Sequence, residues 1–181
     1  MKNNYFDIVN KLLENIDDIQ ITEDLKQEFI TRTKKHIWLV NEYAHKVGKS
    51  YPNHDSSKLG ELLEPYSLYM KKDRTKAEDE LLDLATLIHI KNSPHHPEYW
   101  TDTDLEGFTR KNYTPHGPID ATDMDEDSMC EMCADWCCQS RMLGTNTPFE
   151  WFKKVNGIRW IFSQSQQTFI LNTLREMWNE N

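Results

Sequence analysis

The sequence predicts an all-α, single-domain helical bundle, and three observations carry that prediction. Apolar residues recur at helical spacing through most of the chain. The 6 glycines and 7 prolines of the 181 residues mostly separate the periodic segments instead of interrupting them. Six Trp, 7 Tyr and 7 Phe supply bulky material for one sizeable core, and no linker divides the chain.

Residues 3–15 place Phe6, Ile8, Val9, Leu12 and Leu13 on one helical face. Thr22, followed by Glu23 and Asp24, starts a second helix, with acid at the positive end of the helix dipole. It runs to about Val47, where Gly48 stops it. Its apolar stripe is Leu25, Phe29, Val40, Tyr43 and Val47, and His36 falls on that stripe; His45 faces the other way. A helix beginning near His54 runs through Leu59, Leu62 and Leu63 until Pro65 disturbs it. Residues 77–90 form a strong helix on which His89 shares a face with Leu82 and Ala85. Periodicity is lost over 92–123, a length that in a compact domain points to a functional loop. Helix resumes over 125–143. Thr147-Pro148-Phe149-Glu150 is a capping box opening a short helix, and a last helix spans 158–178. No segment reads as a strand.

Acidic residues outnumber basic ones, 30 to 21, for a formal charge of -9. Such a chain is a poor partner for long nucleic acid, although local basic spots can hold one phosphorylated ligand. No apolar run approaches membrane-spanning length, and the N-terminal residues lack a signal-like apolar region, so a cytoplasmic protein without membrane partners is expected. Cys130, Cys133, Cys137 and Cys138 crowd into nine residues. Three of them form one helical stripe, as small buried hydrophobes do, and the spacing is unlike that of structural zinc sites.

The sharpest local feature is His54-Asp55-Ser56-Ser57-Lys58. Adjacent imidazole and carboxylate suit a divalent ion such as Mn, Fe, Co, Zn or Mg, and further ligands must come from elsewhere. His36 is one candidate. Asp135, at the edge of the apolar face of Met129, Met132, Trp136 and Leu143, is another, because a buried carboxylate needs a compensating charge. A second concentration is His89 with His95, His96 and Glu98, whose flanking prolines stiffen the His-His turn; it is placed to hold a second metal or to bind substrate. Glu131, four residues before Asp135, can orient a ligating histidine from behind. Trp100 and Trp136 read as packing residues, and His116, like His45, as a surface residue.

Taken in order, His36, His54-Asp55 and Asp135 resemble the H…HD…D signature of the HD-domain superfamily, over about residues 30–140. The run from His54 to Lys58 resembles the HD-x-x-K form found in HD-GYP phosphodiesterases and in the inositol-oxygenase branch. His89 with His95 or His96 resembles the extra histidines of two-metal members. The chain is also similar to a small bacterial and phage family carrying H…HDxSK…HHPEYW…EMxxDW. Its 36-to-54 spacing is shorter than in most HD enzymes, its 89-to-95 spacing is much shorter than in two-metal members, and Glu-Tyr-Trp stands where GYP would follow.

The resemblance implies one or two divalent ions held by His36, His54, Asp55 and Asp135, with His89 and His96 at the second ion. It implies a phosphohydrolase that uses metal-activated water on a small phosphate ester such as a nucleotide. Asp55 and Lys58 are then the catalytic residues. Lys58, His95, Glu98, Arg110 and Lys111 are the expected substrate contacts. A di-iron oxygenase and a non-catalytic nucleotide- or partner-binding protein are the rival readings.

Overall fold

The structure, a computed structural model, describes residues 19–103 and 105–179. The helix expected over 3–15 lies outside these residues. The described chain is mostly helical, as the sequence predicts. None of its helices is long and apolar enough to cross a membrane.

Helix α1, Glu23–His45, opens on Thr22, whose hydroxyl accepts the Leu25 N–H. It buries Phe29, Thr33, His36, Val40 and Ala44 on one face, while His45 is exposed. A turn then carries the chain through Gly48, at φ 73°.

The segment after His54 departs from the expected single helix. Helix α2, Ser56–Leu59, ends at Gly60, and α3, Leu63–Ser67, follows. Gly60, not Pro65, makes the break. Pro65 sits in the first turn of α3, where its missing N–H removes no helical hydrogen bond. A 3₁₀ turn, Leu68–Met70, leads on. Helix α4, Lys76–Asn92, then starts at a capping box between Thr75 and Glu78. Glu78 is fully buried there and also accepts from Lys71.

The irregular stretch contains a 3₁₀ turn, Pro97–Trp100, and a short strand β1, Ile119–Asp120. Helix α5, Glu126–Leu143, is capped by Asp125 and closed by Gly144 in the left-handed conformation. Helix α6, Pro148–Val155, has the Thr147/Glu150 capping box. The last helix, α7, is Gln164–Trp178, shorter than expected. Residues 158–162 are instead an aromatic and β-branched run after Gly157, and they contain β2, Trp160–Ile161, which pairs in parallel with β1. Ser163 and Gln166 then form the box that starts α7. Both strands escaped sequence reading because each is two residues long and is stabilised only by a partner about forty residues away.

Helix α5 packs between α1 and α7, and α3 packs against both α1 and α4. Two apolar clusters result. One joins Val40 and Ala44 of α1 to the cysteine face of α5 and to Ile170, Leu174 and Met177 of α7. The other gathers Phe29, Leu62, Tyr66, Leu81, Leu82, Ala85 and Ile88. Along α1, His36 lies between Phe29 of the second cluster and Val40 of the first. Along α4, His89 lies between Ile88 and Ile90, which belong to different clusters. The polar centre therefore sits at the seam between two apolar cores.

Candidate metal centre

His36 comes from α1, His89 from the last turn of α4, and Glu131, Asp135 and Cys138 from successive turns of one face of α5. His54 precedes α2 in a turn, and His95 and His96 sit in the turn before the 3₁₀ segment. Asp55 is the only non-glycine residue with positive φ among those described, at 56°. That backbone costs roughly 1 kcal/mol for a side-chain-bearing residue, least for Asn and Asp, and it persists where the surroundings enforce it. Here it turns adjacent residues 54 and 55 into one cluster.

The two oxygens of Asp55 divide between two groups of ligands. Oδ2 lies 3.4 Å from His36 Nε2 and 3.7 Å from His54 Nε2. Oδ1 lies 3.0 Å from His89 Nε2 and 3.7 Å from His95 Nε2. On the first side, His36 Nε2 is 3.1 Å from His54 Nε2 and 3.2 Å from Asp135 Oδ1. On the second, His96 Nε2 is 3.1 Å from His89 Nε2. Ligand atoms about 2.1 Å from a cation stand roughly 3.0–3.4 Å from one another in octahedral or tetrahedral arrangement, so both groups have the spacing of a coordination shell. Asp55, His89, His95 and His96 form one group able to hold an ion, His36, His54 and Asp55 another, and His54, His95 and Asp135 a third that draws on both sides.

The backs of the imidazoles are tied down. His54 Nδ1 is 2.8 Å from Glu131 Oε1, and His95 Nδ1 is 3.3 Å from the same oxygen. His89 Nδ1 meets Ser57 Oγ at 2.9 Å and Ser93 Oγ at 3.2 Å. His36 Nδ1 meets Cys138 Sγ at 3.2 Å. In each of these four rings Nε2 is the atom turned toward the cluster, the arrangement that fixes a ligating histidine. Meanwhile Asp55 Oδ1, His95 Nε2 and Asp135 Oδ1 are buried without a hydrogen-bond partner. Buried polar atoms left without partners, one on the first side and two on the second, are expensive unless cations meet them, and the donor set is that of a divalent metal. The residues fit such an ion.

The two groups differ electrically. Burial opposes charge on His36, yet the carboxylates of Asp135 and Asp55 and the Cys138 thiol hold its proton affinity well above the ordinary histidine value. Desolvation would favour neutral Asp55, but Lys58, His54 and His89 outweigh it and keep the carboxylate ionised well below its usual range. Asp135 is likewise lowered, against its burial, chiefly by His36. Glu131 is pulled down to about 2, against its burial, by His54 and His95. His89 is pushed down to about 3 by burial and then by Lys58, and His96 falls well below 6.5 through desolvation and its histidine neighbours. These two rings stay neutral, the form that binds metal.

A cavity of about 540 Å³ opens onto His36, Asp55, Lys58, His95 and Asp135, with aromatic walls that include Tyr66, Tyr113, Trp136 and Trp160. Lys58 lines it, with Nζ 2.7 Å from Asp55 Oδ2 and 5.5 Å from the centroid of the Tyr66 ring. A second cavity of about 400 Å³, lined by Tyr51, Asn92 and Glu131 among others, reaches His54, Asp55 and His95.

The match of a family model to residues 25–176 takes in every one of these side chains. The chain belongs to DUF5662, a family of unknown function. No curated protein and no solved structure matches it.

Several expected substrate contacts in the DUF5662 chain stand elsewhere. His95 joins the ligand cluster itself. Glu98 does not face the cavity: it is fully buried and accepts from Trp160 Nε1 at 2.9 Å and Arg159 Nη2 at 3.0 Å. Arg110 is occupied by Asp79 and Asp83 near the start of α4, and Lys111 is exposed outside both cavities. Their segment curls against the side of α4, so nearness in sequence to the histidine cluster did not bring them to it. Trp136 is buried, stacked on Trp160 at 5.8 Å, and also lines the cavity. All four cysteines are free and buried, and no group able to hold a metal among the described residues includes one. Sequence reasoning missed Cys138, Ser57 and Ser93 as supports and Arg159 as a cavity residue. Helical spacing could have found Cys138, three residues after Asp135. Nothing local marks Arg159.

Proposed function

We propose that this DUF5662 chain is an HD-type, metal-dependent phosphohydrolase that acts on a small phosphate ester, a nucleotide being the natural size for its cavity. One observation carries the reading. Asp55 offers its two oxygens to two separate sets of inward-turned nitrogens, beside a cavity that also holds a lysine.

His36, His54, Asp55 and Asp135 would hold one ion, and Asp55, His89, His95 and His96 a second. Such ions, when bound, supply Lewis acidity to a phosphoryl group and to water near neutral pH. The chain's own contributions are positional. Glu131 Oε1 fixes the rings of His54 and His95, and Ser57 fixes that of His89. Lys58 Nζ, anchored by Asp55, presents a positive point charge to the phosphate oxygens. The aromatic walls give a planar leaving group a surface to lie on. In the net reaction the oxygen of water joins phosphorus, the ester P–O bond breaks, and the departing oxygen takes one of water's protons.

Phosphate release from nucleotides and aryl phosphates, measured with Mn, Fe, Co, Zn or Mg added, tests this. Metal-dependent release that disappears in Asp55→Asn is expected. Tight nucleotide binding without release under every metal would favour a binding protein instead. The nitrogen-rich donor set, five imidazoles with two carboxylates, also suits an iron pair. Dioxygen consumption by the iron-loaded protein would favour the oxygenase reading.

A further inference from the structure

Arg159 stands on the wall of the larger cavity and is built in with unusual thoroughness for a residue that no reading of the metal centre requires. Its backbone is fixed on both sides: its N–H donates to Val155 O and its carbonyl accepts from Ile119 N, at the entry to the parallel strand pair. Its guanidinium carbon lies 3.6 Å from the centroid of the Tyr113 ring and 4.2 Å from that of Trp160, so two aromatic faces define its position. The fully buried Glu98 takes one bond from Nη2 at 3.0 Å and is itself held by the Trp160 indole. The pairing is incomplete on both sides: Arg159 Nε and Glu98 Oε2 are buried with no hydrogen-bond partner.

A fixed, stacked guanidinium with one unpartnered donor, on a residue that lines the same cavity as the metal ligands, is the planar fork that receives an oxyanion once the buried Nε–H is uncovered. We propose that Arg159 is a second anion subsite and that the substrate is a two-headed molecule. One oxyanion group, the phosphate, goes to the metal centre and Lys58. A second, a carboxylate or another phosphate, goes to Arg159. A flat or apolar middle lies between them along Trp136 and Trp160. This rests on the proposed phosphoester reading for the first head only. Arg159 makes no contact with the ligand cluster and does not take part in bond breaking; it sets which esters are held.

The test uses two matched probes on the manganese-loaded full chain, phenyl phosphate and 4-carboxyphenyl phosphate, with binding read from stopped-flow tryptophan fluorescence before turnover consumes the probe. The added carboxylate should tighten binding by about tenfold in the wild-type protein, the worth of one charge-assisted bond. The preference should vanish in Arg159→Lys, which keeps the charge but not the fork, and in the double variant Arg159→Met/Glu98→Gln, which removes both buried charges together and so avoids stranding Glu98. Phenyl phosphate, which lacks the carboxylate, should lose less affinity in these variants than 4-carboxyphenyl phosphate does. Equal affinity of the two probes for the wild-type chain overturns the inference without needing any variant to fold, as does a preference that survives both variants. Benzoate titrated into chelator-treated protein separates the two claims. If phenyl phosphate fails to bind the metal-loaded chain while benzoate binds in an Arg159-dependent way, the phosphoester reading fails and the anion subsite stands. If phenyl phosphate binds and 4-carboxyphenyl phosphate binds no tighter, the subsite fails alone.

Discussion

The two halves of the centre share Asp55 but are built differently. The His36 half adds Asp135 to the shared carboxylate, and its histidine holds a proton strongly when no cation is present. The other half surrounds the shared carboxylate with three imidazoles, two of them kept neutral by desolvation and by nearby positive charge. The first half thus holds one carboxylate more than the second, partly offset by Lys58 Nζ on Asp55 Oδ2, and a proton on His36 would compete there with a cation. The second is a set of ready lone pairs with less charge to attract an ion. The difference teaches an order: the His36 half should fill first and hold harder, and the His89 half should be the exchangeable position.

The largest expected effect comes from breaking the strong half. His36→Ala should lose the tightly held ion and reduce turnover by about a thousandfold, the several kcal/mol that Lewis-acid stabilisation supplies. His89→Ala should leave that ion in place. Metal content by elemental analysis, with phosphate release on the same samples, separates the two, and equal metal loss in both variants would erase the proposed order.

Glu131 braces one ring from each half, so Glu131→Gln should weaken both ions together, by roughly 10–100-fold in affinity, with helical content unchanged. Weakening confined to one half would mean that only one of the two contacts matters.

Proton competition should also split the halves. Because the proton affinity of His36 is raised, a cation must displace a proton there, and binding at that half should weaken by about tenfold for each unit of pH lowered through the range where His36 is protonated. His89 stays neutral down to about pH 3, so the lone pair it offers the other half does not change between pH 8 and 5. Cobalt titrations followed by absorption at several pH values would reveal a steep profile at the His36 half, and a flat profile there would contradict the reading. The smallest effect belongs to His45→Ala. That residue is exposed on the far face of α1, and the change should alter neither metal content nor stability by more than about 0.5 kcal/mol.

What could be read from the sequence follows the range of the forces involved. The seats of His36 and His89 are set by helical periodicity, and that of Asp135 by its place at the edge of the α5 apolar face, so these residues were visible as inward-facing polar groups. Glu131 was visible for the same reason, one turn before Asp135. The left-handed backbone of Asp55 was not legible, because its surroundings impose it. Nor was the anchoring of Glu98 by Arg159, which spans 61 residues and depends on a strand pairing two residues long. Continuing the last helix back to 158 would have put Arg159 on a helix surface. The substrate-facing expectations for Glu98, Arg110 and Lys111 went astray for a related reason: closeness along an irregular segment says little about which wall that segment lies against.

Shared use of Asp55 is what ties the halves together, and counting ions in the wild-type chain and in Asp55→Asn tests it most directly. Asparagine tolerates the left-handed backbone and keeps the side-chain shape while removing the charge. Elemental analysis should find two divalent ions per wild-type chain and at most one, weakly held, in the variant, with circular dichroism unchanged. A wild-type chain that takes up no stoichiometric metal, or a variant that still holds both ions, would contradict it.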